Sequence, residues 1–149
     1  MKNIVHTHHI NYNHYIIMFF IMVISGLLST MNVWVDKIDD IRYSINDMYM
    51  ILLMTGWMFL FMGLYYKEIP IFVIGIILVI INLLCIRTQF MITYKQYILG
   101  MIPHHSMAVF MSKKLLINKP TKISDFIMNI IKTQEHEIDY MKNMYTGTE

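Results

Sequence analysis

Two adjacent histidines, His104 and His105, follow a proline in the stretch GMIPHHSMAVFM, residues 100–111. Imidazole and thioether are both ligands for soft metals. They are also ordinary packing groups in a chain that carries 16 methionines. Spacing gives the first test between these readings. In residues 123–144, Ile123, Ile127, Ile130, Gln134, Glu137, Met141 and Met144 recur at steps of three or four, which is one helix face. That face is apolar except at Gln134 and Glu137. Upstream, Met101, His104, Ala108, Met111 and Leu115 form a matching stripe, with His105 at its edge. Folding the two helices back about a turn near Lys119 sets His104 opposite Gln134 and Glu137, and Met101 near Met141.

A carboxylate on such a seam is costly to bury unless it is partnered. Against an imidazole it can pair with a protonated ring, fix a tautomer, or share a metal. The candidate ligands are His104, His105, Met111, Glu137 and Met141, with Met101 and Met107 as possible additions and Gln134 supporting them from outside. Two histidines and a glutamate alone would suit zinc or iron, but the methionines tilt the choice to copper as Cu(I). Without metal, the same His–Glu–Gln cluster would fix helix register, and spacing leaves both readings open. Catalysis finds little support. Ser106 neighbours His105, but adjacent helix positions do not face each other. Di-iron chemistry needs repeated Glu and Glu-x-x-His ligands, and only Glu137 lies on the seam. We therefore expect no enzyme.

The elements that must position this cluster are unusually apolar. Hydrophobic residues make up 56% of the chain, against about 45–50% in soluble domains. Charged residues are 15%, against about 25%. Three uncharged runs, at about residues 15–35, 48–66 and 69–86, each approach the roughly 20 residues that cross a bilayer. Tyr15 and Trp34 stand near the ends of the first, where interfacial aromatics belong. Three crossings would place the two termini on opposite sides. The Lys and Arg count leans toward a cytoplasmic C-terminus. Ahead of the spans, residues 1–14 form a His-rich tail with His6, His8, His9 and His14. Behind them, residues 88–149 regain lysines and read as two helices. The first covers residues 98–117, kinked or restarted at Pro103, and the second covers residues 121–144, capped by Thr121 or Ser124. Met50, Met54, Met58 and Met62 line one flank of the second span. They suit packing more readily than a thioether relay for Cu(I). The sole cysteine, Cys85, reads as a buried apolar residue. It excludes a disulfide framework or a Cys-based zinc site. A net charge of +2 with no basic stripe argues against nucleic acid.

The motifs MIPHHSMAVFMS (101–112) and IIKTQEHEIDYM (130–141) resemble the paired signature of the domain of unknown function 305 family. That signature is M-I-x-H-H-x-x-A-[IV]-x-M followed by I-I-x-x-Q-x-x-E-I-x-x-M. The match takes in Met101, Ile102, His104, His105, Ala108, Val109, Met111, Gln134, Glu137, Ile138 and Met141. Position 107, often small or polar in the family, is Met here. The first part of the chain looks like the membrane-anchored branch, and Arg87-Thr88-Gln89 fits its Arg-x-Gln element. The resemblance implies a ferritin-like helical fold. It also implies a link to copper, because some soluble members are copper-binding proteins of the bacterial periplasm. A periplasmic hairpin would conflict with the orientation that the loop charges favour.

The expected architecture is thus all-α: three transmembrane helices followed by a C-terminal ferritin-like helical hairpin. The expected partners are the lipid bilayer and a second copy of the chain, since two helices alone bury little core and a dimer would complete a four-helix bundle. Two functions remain. One is a membrane-anchored copper protein that sequesters, senses or hands over the ion. The other is an assembly protein whose His–Glu–Gln knot only fixes register.

Overall fold

In the computed structural model, residues 12–118 and 123–147 are described, and among them every regular element is helical. Five helices follow in order: α1 (Tyr12–Leu28), α2 (Ile45–Tyr66), α3 (Ile69–Thr88), α4 (Tyr94–Asn118) and α5 (Ser124–Thr146). Two short 3-10 turns, Met31–Trp34 and Ile38–Asp40, lie between α1 and α2. His6, His8 and His9 of the tail, Lys119 and Pro120 of the expected turn, and Thr121 lie outside the described residues. His14 is exposed in the first turn of α1.

Local chemistry sets the helix ends. Ser44 and Asp47 form a reciprocal capping box that starts α2. The second span thus begins at Ile45, three residues before the uncharged run, because Asp47 belongs to the cap. Lys67 takes a left-handed conformation (φ 59°) and stops α2, and Pro70 in the first turn of α3 suits the restart. Gln89 (φ 51°) and Gly147 (φ 69°) end α3 and α5 in the same left-handed manner. The regular α-helix of the first run is shorter than the run itself, although the long apolar stretch continues through the 3-10 turn from Asn13 to Trp34. α1 stops at Leu28, and Asn32 then bridges the loop, its amide donating to Arg42 O at 2.7 Å and its carbonyl accepting from Arg42 N at 3.0 Å. Pro103 neither ends nor restarts α4, which runs unbroken through it. Ser124 is the first residue of α5 and not its cap, a position held by Ile123 without a side-chain hydrogen bond.

Antiparallel pairing joins α1 to α2, α2 to α3, and α4 to α5. Between α2 and α3, Gly63 abuts Phe72, Gly75 abuts Leu60 and Gly56 abuts Val79. A Cβ at Gly63 would lie 2.3 Å from Phe72 N, and one at Gly75 2.3 Å from Leu60 N, so glycine is what lets these backbones touch. On the other side of α2, Gly26 of α1 meets Ile51, and Tyr15 and Phe19 pack on Phe59. Tyr15 is therefore buried, and its hydroxyl donates to Glu68, in the α2–α3 connection, at 2.5 Å. Of the most apolar stretch of each of the first three helices, only 6%, 28% and 22% is buried. The outward surface is Ile16, Ile17, Phe20, Ile24, Phe61, Leu64, Ile80, Leu84 and similar residues. All three helices are long and apolar enough to cross a membrane. The methionine row divides along this surface. Met50 and Met54 are exposed, while Met58 and Met62 pack against the Tyr15–Phe59–Ile71 cluster. Cys85 is half-buried, less enclosed than its apolar surroundings suggested.

The hairpin of α4 and α5 stacks on the end of this layer that carries the α1–α2 loop and the α3 C-terminus. Gln96 accepts from Ile45 N at 2.8 Å, and Tyr49 donates to Phe90 O at 2.9 Å. A core of Ile98, Ile102, Val109, Ile138 and Met141 joins the two helices, with Met101 and Ile131 against it.

Candidate functional site

The α4–α5 seam runs one residue away from the stripe read in the sequence. His105, not His104, faces α5. Its Nε2 lies 3.0 Å from Glu137 Oε2, and its side chain is 12% exposed. Its Nδ1 lies 2.8 Å from the Met101 carbonyl, one turn earlier. A carbonyl only accepts, so Nδ1 carries the hydrogen and Nε2 is the atom presented to the carboxylate. Gln134 Nε2 donates to the same Glu137 oxygen across 3.4 Å, a long contact. The two stripes do bring an imidazole to Glu137 and Gln134, as spacing suggested, but the imidazole is the second of the pair.

The shift has a physical cause. α4 is packed on two flanks, and the second flank is covered by the α1–α2 loop. Ser106, fully buried, donates to Asp40 Oδ2 at 2.5 Å and accepts from Asp36 N at 2.9 Å. Lys142 of α5 reaches the same loop, 2.6 Å from Asp40 Oδ1 and 2.5 Å from Asp39 Oδ2. Lys113 lies between Asp36 at 2.8 Å and Glu135 at 2.7 Å. Trp34, half exposed at the end of the first apolar run, packs edge-on against Phe110 of the hairpin with centroids 6.4 Å apart. The buried arc of α4 must therefore serve both partners, and Ile102, Ser106 and Val109 take its centre.

Electrostatics tie this clamp together. The hydrogen bond from Lys142 holds the Asp39 carboxyl below its ordinary range, helped by the Lys142 charge itself. Burial works against the charge on Lys142, but hydrogen bonds to Asp39 and Asp40 outweigh it and hold the ammonium above its ordinary value. Lys113 is likewise raised by its hydrogen bonds to Asp36 and Glu135. The sequence signal for this clamp was faint. Ser106 sits among apolar neighbours at helical spacing, and a buried hydroxyl requires a partner.

Two cavities flank the histidines. One, of about 360 Å³ between α4 and α5, is lined by His105, Glu137, Met101, Met141 and Met144, with Tyr94, Tyr97, Ile98 and Tyr140. The other, of about 250 Å³ against the start of α2, is lined by His104, Met31, Met50, Met101, Asn46 and Asp47, among others. The rings of His104 and His105 stand edge to face, 6.0 Å apart, and Met101 and Tyr97 belong to both walls. Of the ligands expected from sequence, His105, Glu137, Met141 and Met101 come together in the first cavity. His104 is exposed and lines only the second. Met111 is exposed and faces a third, apolar groove with Leu115, Ile127 and Ile130, while Met107 is half-buried outside all three. Met144, which lines the first cavity, was read from spacing only as a seam residue. Among the described residues, no three His, Cys, Asp or Glu side chains converge to hold a metal.

Residues 91–145 match the domain of unknown function DUF305. Over 130 residues the chain is 42% identical to the protein named Uncharacterized protein L153 of Acanthamoeba polyphaga mimivirus, covering 81% of this chain and 84% of the viral one. The chain belongs to that family. No solved structure matches it. The DUF305 segment begins at the α3–α4 connection and ends within α5, so it contains the whole seam. The loop that clamps the seam, with Asp36, Asp39 and Asp40, lies outside it.

Proposed function

We propose that this DUF305 protein is a three-span integral membrane protein whose hairpin binds Cu(I) in the α4–α5 cavity. The observation that carries the reading is the convergence of His105 and Glu137 with Met101, Met141 and Met144 around one cavity. The donor set fits a soft monovalent ion, since thioether and imidazole select Cu(I) over harder cations. His105 would ligate through Nε2, because Nδ1 is engaged by Met101 O. That backbone bond fixes the tautomer and the ring plane, as ligating histidines require. Glu137 would balance charge at the rim, where its side chain is 46% exposed. Bound there, the ion would be held for storage, sensing or handover, with no chemistry of its own required. The ferritin-like relationship and the copper role of soluble relatives support the reading by resemblance.

Membrane insertion rests on the outward apolar surface of α1, α2 and α3. Soluble monomers rarely expose contiguous apolar patches beyond a few hundred Å², and here most of three helices is such a surface. The expected test is retention in the membrane fraction through alkaline carbonate, with release only by detergent. Release by carbonate would remove the assignment. The bilayer is then one partner. A second copy meeting the exposed Met111, Leu115, Ile123 and Phe126 end of the hairpin is the other partner that we propose.

Copper binding is tested by Cu(I) titration of the detergent-purified chain beside His105→Ala. Near-stoichiometric binding that the variant loses supports the site. Absence of binding by the folded wild type, or equal binding by both, removes it. A second reading is favoured by one observation: both ring nitrogens of His105 already have partners within hydrogen-bond reach, Met101 O and Glu137. The trio would then be a polar knot that fixes hairpin register. In that case His105→Ala lowers stability and leaves metal content unchanged.

A further inference from the structure

The second cavity has a donor set of its own. Met31 from the turn after α1, Met50 from the first turns of α2, and Met101 and His104 from α4 line a space of about 250 Å³. Its oxygen donors are largely spent elsewhere. Asp47 Oδ2 accepts from Ser44 N at 2.7 Å and from Ser44 Oγ at 2.9 Å, so its carboxylate serves the cap of α2. Asn46 contributes a buried carbonyl oxygen with no hydrogen-bond partner. Besides that oxygen, the side chains that line the cavity include three thioethers and one imidazole. Those are soft donors, three of sulfur and one of nitrogen, and they discriminate against Zn²⁺, Mg²⁺ and Ca²⁺.

We propose that His104, Met31 and Met50 form a second Cu(I) seat, distinct from the His105 cavity, with Met101 in the wall between the two. Its separation from the first follows from the geometry of adjacent helix positions, which face different ways. The paired histidines thereby serve two cavities divided by Met101. Two of the three donors, Met31 and Met50, lie outside the DUF305 segment. The seat therefore exists only where the hairpin is docked on the α1–α2 loop and the start of α2. It rests on the reading above for the choice of a soft ion alone, and each seat can fail without the other.

The experiment is Cu(I) titration of the full chain in detergent, with a competing chromogenic chelator, across four proteins. These are the wild type, the Met31→Leu/Met50→Leu double variant, His104→Ala and His105→Ala. Leucine keeps the apolar volume and removes the sulfur, and unchanged helical circular dichroism verifies the fold. Two equivalents are expected for the wild type and one for each variant. X-ray absorption of the His105→Ala protein with one equivalent should show sulfur-dominated scattering that Met31→Leu/Met50→Leu loses. Wild-type stoichiometry and affinity in Met31→Leu/Met50→Leu would overturn the second seat. A single wild-type equivalent lost only in His105→Ala would overturn it and leave the first seat standing. Loss of one equivalent in Met31→Leu/Met50→Leu with no effect of His105→Ala would uphold the second seat and remove the first.

Discussion

Ser106, in the middle of α4, donates a 2.5 Å hydrogen bond to Asp40, which lies 66 positions earlier in the loop between α1 and α2. Both side chains are buried, and Asp40 also meets Lys142 from α5. One carboxylate thus joins the loop to both helices of the hairpin. The hairpin needs this, since two helices alone enclose too little apolar area to be stable.

Asp40→Ala is expected to be among the most damaging substitutions outside the apolar core. It leaves the Ser106 hydroxyl buried without an acceptor and takes one of the two carboxylates from Lys142. Breaking a buried charge pair from one side costs about 3–5 kcal/mol. The retained Asp39 contact places the expected loss at about 3 kcal/mol, the low end of that range. Thermal unfolding in detergent checks it. The Ser106→Ala/Asp40→Asn pair should lose less than the sum of its single changes, because the two residues share one interaction. Strict additivity would mean that the contact contributes little.

The clamp should also respond to pH, with a sign set by its shifted groups. Asp39 is held below its ordinary value of 3.8. Its contribution is complete above that value and is lost as pH falls through the lowered folded pKa. Lys113 and Lys142 are held above 10.5. Their contributions are complete below that value and are lost as pH rises through the raised folded pKa. The expected profile is flat across neutral pH, with loosening only in strong acid and strong alkali. Trp34 fluorescence reports it, since Trp34 docks on Phe110, and Trp57→Phe removes the other indole. Asp39→Asn should flatten the acid limb, and an unchanged limb would contradict the role given to Asp39.

Much of this architecture was legible because period and composition act locally. Uncharged runs located the first three helices, and the return of lysines located the hairpin helices α4 and α5. The seam was legible only to within one residue. Met101, His104, Ala108 and Met111 recur at helical spacing, but so do Ile98, Ile102, His105 and Val109. Only the tertiary partner decides between two such stripes. Here that partner is the acidic loop, whose pairing with Lys113 and Lys142 spans 77 and 103 positions and leaves no periodic trace. The contacts of Trp34 and Tyr15 were hidden for the same reason. Each has a specific protein partner, Phe110 and Glu68, that no rule about membrane interfaces anticipates.

The one-residue shift separates the two histidines by stability as well as by metal. His105→Ala should cost about 1–2 kcal/mol, because it removes the partner of Glu137 and the bond to Met101 O on a half-solvated seam. His104→Ala, at an exposed position, should stay within about 0.5 kcal/mol of wild type. Denaturation of the metal-free protein measures both. Equal losses would restore His104 to the seam.

The close approach of α2 to its neighbours gives a graded test. At Gly63 and Gly75 an added Cβ would fall 2.3 Å from the backbone nitrogens of Phe72 and Leu60. Backbone cannot rotate aside, so α2 and α3 must separate along their length. Overpacking typically costs about 1–3 kcal/mol, and these sites should lie at the top of that range. At Gly26 the nearest atoms are the Ile51 side-chain carbons Cγ2 at 2.7 Å and Cγ1 at 2.8 Å and not backbone, so a smaller separation of α1 from α2 relieves the contact. At Gly100 the closest atom is Ser44 Oγ at 3.3 Å, and a small shift accommodates the methyl. The expected order of destabilisation by alanine is therefore Gly63 and Gly75 first, then Gly26, then Gly100. The Gly100 change is near neutral because alanine also favours the helix by about 1 kcal/mol. Thermal unfolding of the four variants in one detergent gives the ranking. A Gly63→Ala protein as stable as Gly100→Ala would mean that α2 and α3 do not touch through their glycines.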